Sequence, residues 1–177
     1  GTVVKDTVQS QTFVNYAVGS LQLSKTVESL SPSDETRDFD FRITLIPGEG
    51  RTGAYGATQY NSDGTTSDVD VNFTNGVAIV ELKHGESIVI NNLPAGKQYS
   101  IEELNADGFW VEADNATGDI DVGKTEAAAF INTRQTGELH VRKYVPGAPA
   151  DTNPEFEFIV TLTDAAYING TFGDMTF

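Results

Sequence analysis

Leu21-Gln22-Leu23-Ser24-Lys25-Thr26-Val27 is the stretch whose reading decides the fold. In an extended strand, successive side chains point to opposite faces. Leu21, Leu23, Lys25 and Val27 therefore share one face, and that face is apolar except at its lysine. Burying an unpaired ammonium carries a heavy penalty unless the group gives up its proton or meets a partner. The stretch thus predicts a strand with a polar partner waiting for Lys25 inside the core.

Outward from this strand, nearly every segment reads as β. Arg37 to Leu45 alternates Phe39, Phe41, Ile43 and Leu45 against Asp40, Arg42 and Thr44, the pattern of a strand with one buried face. Val69, Val71 and Phe73 repeat it, and Asn75-Gly76, a favoured tight-turn dipeptide, leads into Val77 to Leu82. Further strands are expected over Ser87 to Asn91, Tyr99 to Leu104, Phe109 to Ala113, Asp119 to Val122 and Ala127 to Asn132, and no window has a persuasive helical period. Many short strands separated by turn signals predict an all-β sandwich or barrel.

Internal repetition sets the domain plan. Phe130-Ile131-Asn132, Gly137 and Leu139 to Val145 copy Phe13-Val14-Asn15, Gly19 and Leu21 to Val27. Phe156 to Leu162 copies Phe39 to Leu45, and Gly1 to Asn15 aligns without gaps on Gly118 to Asn132. The period is roughly 117 residues, of the order of one domain. The expected organisation is the last strands of one unit over 1–18, a complete unit over 19–137 and the first strands of the next over 138–177. An isolated hairpin is marginal in water, so the end pieces are expected to lean on each other, on the middle unit or on a neighbouring chain.

Two more polar residues fall on apolar faces. Asn132 shares parity with Ala128 and Phe130, and Glu103 shares it with Tyr99 and Ile101, while Glu102 looks outward. In an apolar site a lysine and a glutamate both favour their neutral forms. A neutral amine is a nucleophile, and a glutamic acid can polarise a carboxamide and shuttle protons. Attack of Lys25 on Asn132 would expel ammonia and leave an isopeptide bond. Taken singly, each residue also has a plainer reading: a snorkelling edge lysine, a backbone-satisfied asparagine, a rim carboxylate. The repeat argues against chance, because Lys143 again sits among Leu139, Val141 and Val145, and Asn15 again follows Phe13.

The pattern resembles a known family. LxLxKxV, FxFxITL, the run Leu93, Pro94, Gly96, Tyr99, Ile101 and Glu103 followed by Gly108-Phe109, and a closing FxN are similar to the Cna-protein B-type domains, repeated stalk modules of Gram-positive adhesins and pilins. The resemblance covers 19–137 and both partial units. It implies a Greek-key, inverse-immunoglobulin-like β-sandwich with an autocatalytic Lys–Asn isopeptide bond assisted by Glu. The lysine falls on Lys25, the acid on Glu103 and the asparagine on Asn132. Gln59 to Ser67 stands out as a long polar insert that the following unit lacks.

The chain has 177 residues, a net charge of −15 and no cysteine. Such acidity argues against nucleic acid or an anionic membrane surface as partner, and the cysteine count excludes disulfides and thiol catalysis. No apolar run approaches a membrane span, and the start lacks a basic-then-apolar signal segment. His84 and His140 read as surface residues, Asp63, Asp68, Asp70 and Asn72 as a solvent face rather than a metal site, and Trp110 as exposed. No catalytic constellation for turnover on an external substrate is visible, and no cofactor or metal is expected.

The leading expectation is a structural module of a surface adhesin or fibre, extracellular and attached to the cell wall, with neighbouring repeats and other fibre subunits as its partners. Two rivals stand beside it. One is an assembling subunit in which Lys143 of one chain joins Asn15 of the next by strand complementation. The other is an adhesin domain that binds a host ligand through the insert or Trp110.

Overall fold

The alternation around Lys25 is realised as strand β1, Val18–Glu28, whose residues 21, 23, 25 and 27 are buried. The structure, a computed structural model, describes residues 17–47, 52–146 and 155–161, together with the backbone of 171–172 and 175–176. Asn15 and the strands expected over 1–16 lie outside the described residues.

After β1 come a single helical turn α1 (Pro32–Glu35), β2 (Phe39–Ile46), β3 (Gly53–Tyr60), β4 (Thr66–Phe73), β5 (Val77–Leu82), β6 (Ser87–Pro94), β7 (Gln98–Glu103), β8 (Phe109–Asp114), β9 (Thr117–Asp119) and β10 (Thr125–Arg134). Two sheets form a sandwich. One has the order β4-β3-β6-β1-β10-β8, and the other β5-β2-β7-β9. Consecutive strands repeatedly change sheet, as in a Greek-key sandwich. β1 and β10, far apart in sequence, lie side by side and parallel. Between the sheets pack Leu21, Leu23, Phe39, Phe41, Ile43, Leu45, Phe73, Leu82, Ile90, Leu93 and Ile120, all essentially without solvent contact.

Local chemistry accounts for the turns. Asn75 and Gly76 both take positive φ, 50° and 82°, so the β4–β5 connection turns tightly where the sequence predicts. The polar stretch from Gln59 to Ser67 is not a free insert. Gln59 and Tyr60 pair with Ser67 and Thr66, which leaves a turn over 61–65. Asp63 closes that turn by accepting from the Thr65 amide and hydroxyl. The small and polar residues paired along it hide this hairpin from a reading that looks for apolar alternation.

Two expectations differ at strand level. The strand expected over Asp119 to Val122 forms earlier, at Thr117–Asp119, because Gln98, Tyr99 and Ser100 of β7 are its pairing partners. Leu139 to Val145 carries no strand and is exposed throughout. Among the described residues no strand lies beside this heptapeptide, and a β-prone stretch whose backbone is left unpaired gains nothing from extension. Beyond it the described strands are a two-residue pair, β11 (Thr171–Phe172) with β12 (Met175–Thr176).

Candidate cross-linking site

Strand register brings the polar residues of the core together. In the β1–β10 pair, Lys25 stands opposite Phe130 and Val27 opposite Asn132. Lys25 and Asn132 are therefore diagonal neighbours on one face of the six-stranded sheet. Glu103 descends from the facing sheet, at the end of β7 and opposite Phe41. Lys25 is 1% exposed, Asn132 0%, and the side chain of Glu103 2%.

One carboxylate oxygen serves both neighbours. Lys25 Nζ lies 3.0 Å from Glu103 Oε1, and Asn132 Nδ2 donates to the same oxygen at 2.8 Å. The lysine contact is an ion pair rather than an aligned hydrogen bond. Lys25 Nζ, Glu103 Oε2 and Asn132 Oδ1 are buried without a hydrogen-bond partner among the described residues. Three orphaned polar atoms in one core are costly, and they belong to the three side chains that could react with one another. Glu102 points outward and pairs with Arg42 at 2.8 Å, so parity separates the two neighbouring acids.

The surroundings are aromatic. The Phe39 ring centroid is 4.3 Å from Lys25 Nζ and that of Phe41 5.8 Å. Phe130 packs edge-on against Phe41, and Phe109 against Phe39. Burial in this box is the main influence on Lys25 and lowers its pKa from the ordinary 10.5, against the opposing pull of the adjacent Glu103 carboxylate. The arrangement can generate a neutral amine next to a carboxamide, with a carboxylate positioned for proton transfer. The sequence reading has the acid polarising the amide carbonyl. Here Glu103 instead accepts from the amide nitrogen, the group that would leave.

Several supporting residues escape the sequence reading. His84 is half-buried rather than simply a surface residue, and its Nδ1 accepts from the Val27 amide at 2.9 Å. With Lys25 N donating to Glu86 O and Gly85 N donating to Lys25 O, the loop 83–86 grips β1 where its pairing with β6 ends, at Ser24 and Ser87. A sequence scan for metal ligands or charge pairs has no means of finding a ring that serves a main-chain amide. At the nearby end of the sandwich, buried Asp34 accepts from Ser29 Oγ at 2.5 Å and faces Arg134 Nε at 3.2 Å. Gly108, with φ +84°, leaves room for this arginine, whose Nη1 would lie 2.8 Å from an added Cβ.

The remaining candidates lie apart from this cluster. Lys143 is exposed, with its Nζ 4.6 Å from the Phe156 ring centroid, and Asn15 is outside the described residues. Trp110 is 60% exposed on the edge strand β8. His140 is exposed, 3.5 Å from Glu138.

The molecule is thus a two-sheet β-sandwich with a polar trio sealed in an aromatic core. Residues 19–134 match the family model described as Domain of unknown function (DUF7601), and the chain belongs to that family. It is homologous to the pilus tip adhesin Cpa of Streptococcus pyogenes, 30% identical over 122 residues, which are 64% of this chain and 16% of that protein. The chain therefore spans only a small part of the curated relative it matches. Among solved structures, one crystal form of the pilus-presented adhesin Cpa superposes with a TM-score of 0.51 at 31% identity, over 67% of this chain and 28% of that one. A second structure of the same crystal form gives 0.52 at 28% identity, over 70% and 28%. A variant of the major pilin from Streptococcus pyogenes gives 0.51 at 21% identity, over 67% and 48%, a likeness of fold. Among the described residues no helix is long and apolar enough to cross a membrane.

Proposed function

We propose that this chain contributes a structural module, of the Cna-protein B type, to a pilus or adhesin on a Gram-positive cell surface, and that the module's one reaction is with itself. The neutral amine of Lys25 attacks Cγ of Asn132, forming the Nζ–Cγ bond. Glu103 Oε1 takes a proton from Nζ and passes one to Nδ2. The Cγ–Nδ2 bond breaks and ammonia leaves. Atoms and charge balance without oxidant, metal or cofactor, and the product is an amide joining the adjacent strands β1 and β10.

One observation carries the reading: the same glutamate oxygen lies within hydrogen-bonding distance of both the attacking and the departing nitrogen. Burial supports it, because an aromatic enclosure favours the uncharged amine. The homology to a pilus adhesin supports the setting, since a surface stalk under tension benefits from a covalent tie between its terminal strands. For a cysteine-free chain such a tie does the work of a disulfide.

Intact-mass measurement of the folded chain tests this directly. The expected mass is lower than the sequence mass by one ammonia, and Lys25→Met is expected to abolish that deficit. A wild-type chain at its full sequence mass overturns the reading.

A second unit of the same kind, beginning near residue 138, is favoured by one contact. Lys143 lies over Phe156 as Lys25 lies over Phe39, and these are the same two positions of the repeat. The alternative in which Lys143 joins Asn15 of another chain predicts a ladder of multiples on a denaturing gel, abolished by Asn15→Ala.

A further inference from the structure

The aromatic wall behind the amine holds a second cation. Arg37 Cζ is 5.0 Å from the centroid of the Phe39 ring, the ring that Lys25 Nζ approaches to 4.3 Å, and 5.5 Å from that of Phe109. The two cations therefore lie within roughly 10 Å of each other, about one Debye length at 0.1 M salt, with protein rather than water around much of the path. A single cation is attracted to an aromatic face, whereas two sharing one ring repel.

Arg37 is held in place without being neutralised. Its Nη1 donates to the Asp107 carbonyl at 3.3 Å and its Nη2 to the Asn105 carbonyl. Among the described residues no carboxylate lies within ion-pair distance of it. The other arginine at this end, Arg134, faces the buried carboxylate of Asp34. The charged groups that act on Lys25 are Glu103 on β7 and Arg37 ahead of β2, while His84 and Glu86 lie on the loop along the β1 backbone and Arg134 pairs with Asp34 between β10 and α1. Glu103 favours the ammonium form, while burial and, to a smaller degree, the charge of Arg37 oppose it.

We infer that Arg37 is a positioning residue of the cross-linking site, a tethered, uncompensated charge that acts across the Phe39 ring to hold Lys25 in its uncharged, nucleophilic form. This rests on the self-cross-linking reading above and adds what sets the timing of the reaction. Burial already disfavours the ammonium, and a fixed cation nearby lowers further the pH at which the amine is free to attack.

The test follows the reaction from its start. The chain recovered unreacted in denaturant is refolded by dilution into a series of buffers that reaches up to the ordinary lysine pKa of about 10.4. Loss of one ammonia is then timed by mass spectrometry. In Arg37→Gln and Arg37→Met, which both remove the charge, the rise of rate with pH is expected to move to higher pH. On the rising limb the rate should fall about two- to twentyfold, the range a single charge at this separation exerts between effective dielectric constants of about 80 and about 20, with the alkaline plateau unchanged. Arg37→Lys restores the charge and should return the curve towards wild type. Thermal midpoints of each variant in a Lys25→Met background identify those that fold. Curves for a folded charge-removing variant that superimpose on wild type, or that are lowered equally at every pH, overturn the inference. A wild-type chain that never loses ammonia instead overturns the underlying reading, so the two failures are distinguishable.

Discussion

Leu21 to Val27 and Leu139 to Val145 share one pattern, yet the first is a central buried strand and the second an exposed segment without secondary structure. Each has a lysine at its fifth position and apolar residues at the first, third and seventh. The difference lies in the neighbours. β1 is hydrogen-bonded to β10 along one side and to β6 and the loop 83–86 along the other, and the four-stranded sheet covers its inner face. Among the described residues, Lys143 has only the Phe156 ring beside it. The pattern supplies a strand that can bury a lysine, and only neighbouring strands make it do so.

The sharpest way to break this comparison is to remove each lysine. Lys25→Met keeps the volume and removes the amine, so the ammonia deficit should vanish. By analogy with a disulfide closing a loop of about 100 residues, the loss of the tie costs about 4.7 kcal/mol. For a domain of this size that means a fall of roughly 15 °C or more in the thermal midpoint. Lys143→Met should change neither the ammonia deficit nor the midpoint. If it costs as much as Lys25→Met, the two regions are energetically alike and the contrast fails.

Next in size is the proton relay. Glu103→Ala should slow ammonia loss by about 10²- to 10⁴-fold, the usual contribution of a positioned acid–base group. Mass measured against time after refolding gives the factor, and a rate within twofold of wild type would remove Glu103 from the relay.

Asn132→Ala gives a smaller and more specific signal, because it leaves Lys25 buried and unreacted. The folded-state pKa of Lys25 lies below its ordinary 10.5, so in the window between those values the unfolded chain binds more protons. Stability should then rise as pH climbs from the lowered value towards 10.5 and level off above it. Urea unfolding at a series of pH values measures this slope, and adding Lys25→Met to Asn132→Ala should flatten it.

The smallest expected effect concerns the loop that grips β1. In a Lys25→Met background, His84→Ala should cost about 1 kcal/mol, one hydrogen bond to a buried-strand amide. His84→Asn, which offers an acceptor in a similar place, should recover most of it. Equal losses in both variants would show that the ring contributes packing rather than an acceptor.

Much of this was legible in the chain itself. Period-two alternation marked β2, β4, β5, β7 and β10, and Asn75-Gly76 marked its turn, because these are local consequences of backbone geometry and burial. Parity alone separated Glu103 from Glu102 and pointed Lys25 and Asn132 inward. Strand β3, and with it the pairing to β4, was missed because its residues are mostly small or polar and carry no apolar alternation. The one-turn helix α1 was missed because four residues are too few to show a period. His84 and Arg37 were invisible as parts of the site, since one serves a main-chain amide and the other a carbonyl pair and a ring, and no spacing encodes either contact.

Sequence alone determined that this chain is all-β, that three polar residues face its core and that the pattern begins again after residue 137, because alternation is written residue by residue. Tertiary structure alone decided that β1 lies parallel to β10, that Glu103 comes from the opposite sheet to stand between amine and amide, and that Leu139 to Val145 stays open. Those outcomes depend on which strands become neighbours, a property of the whole chain's packing that no single segment contains.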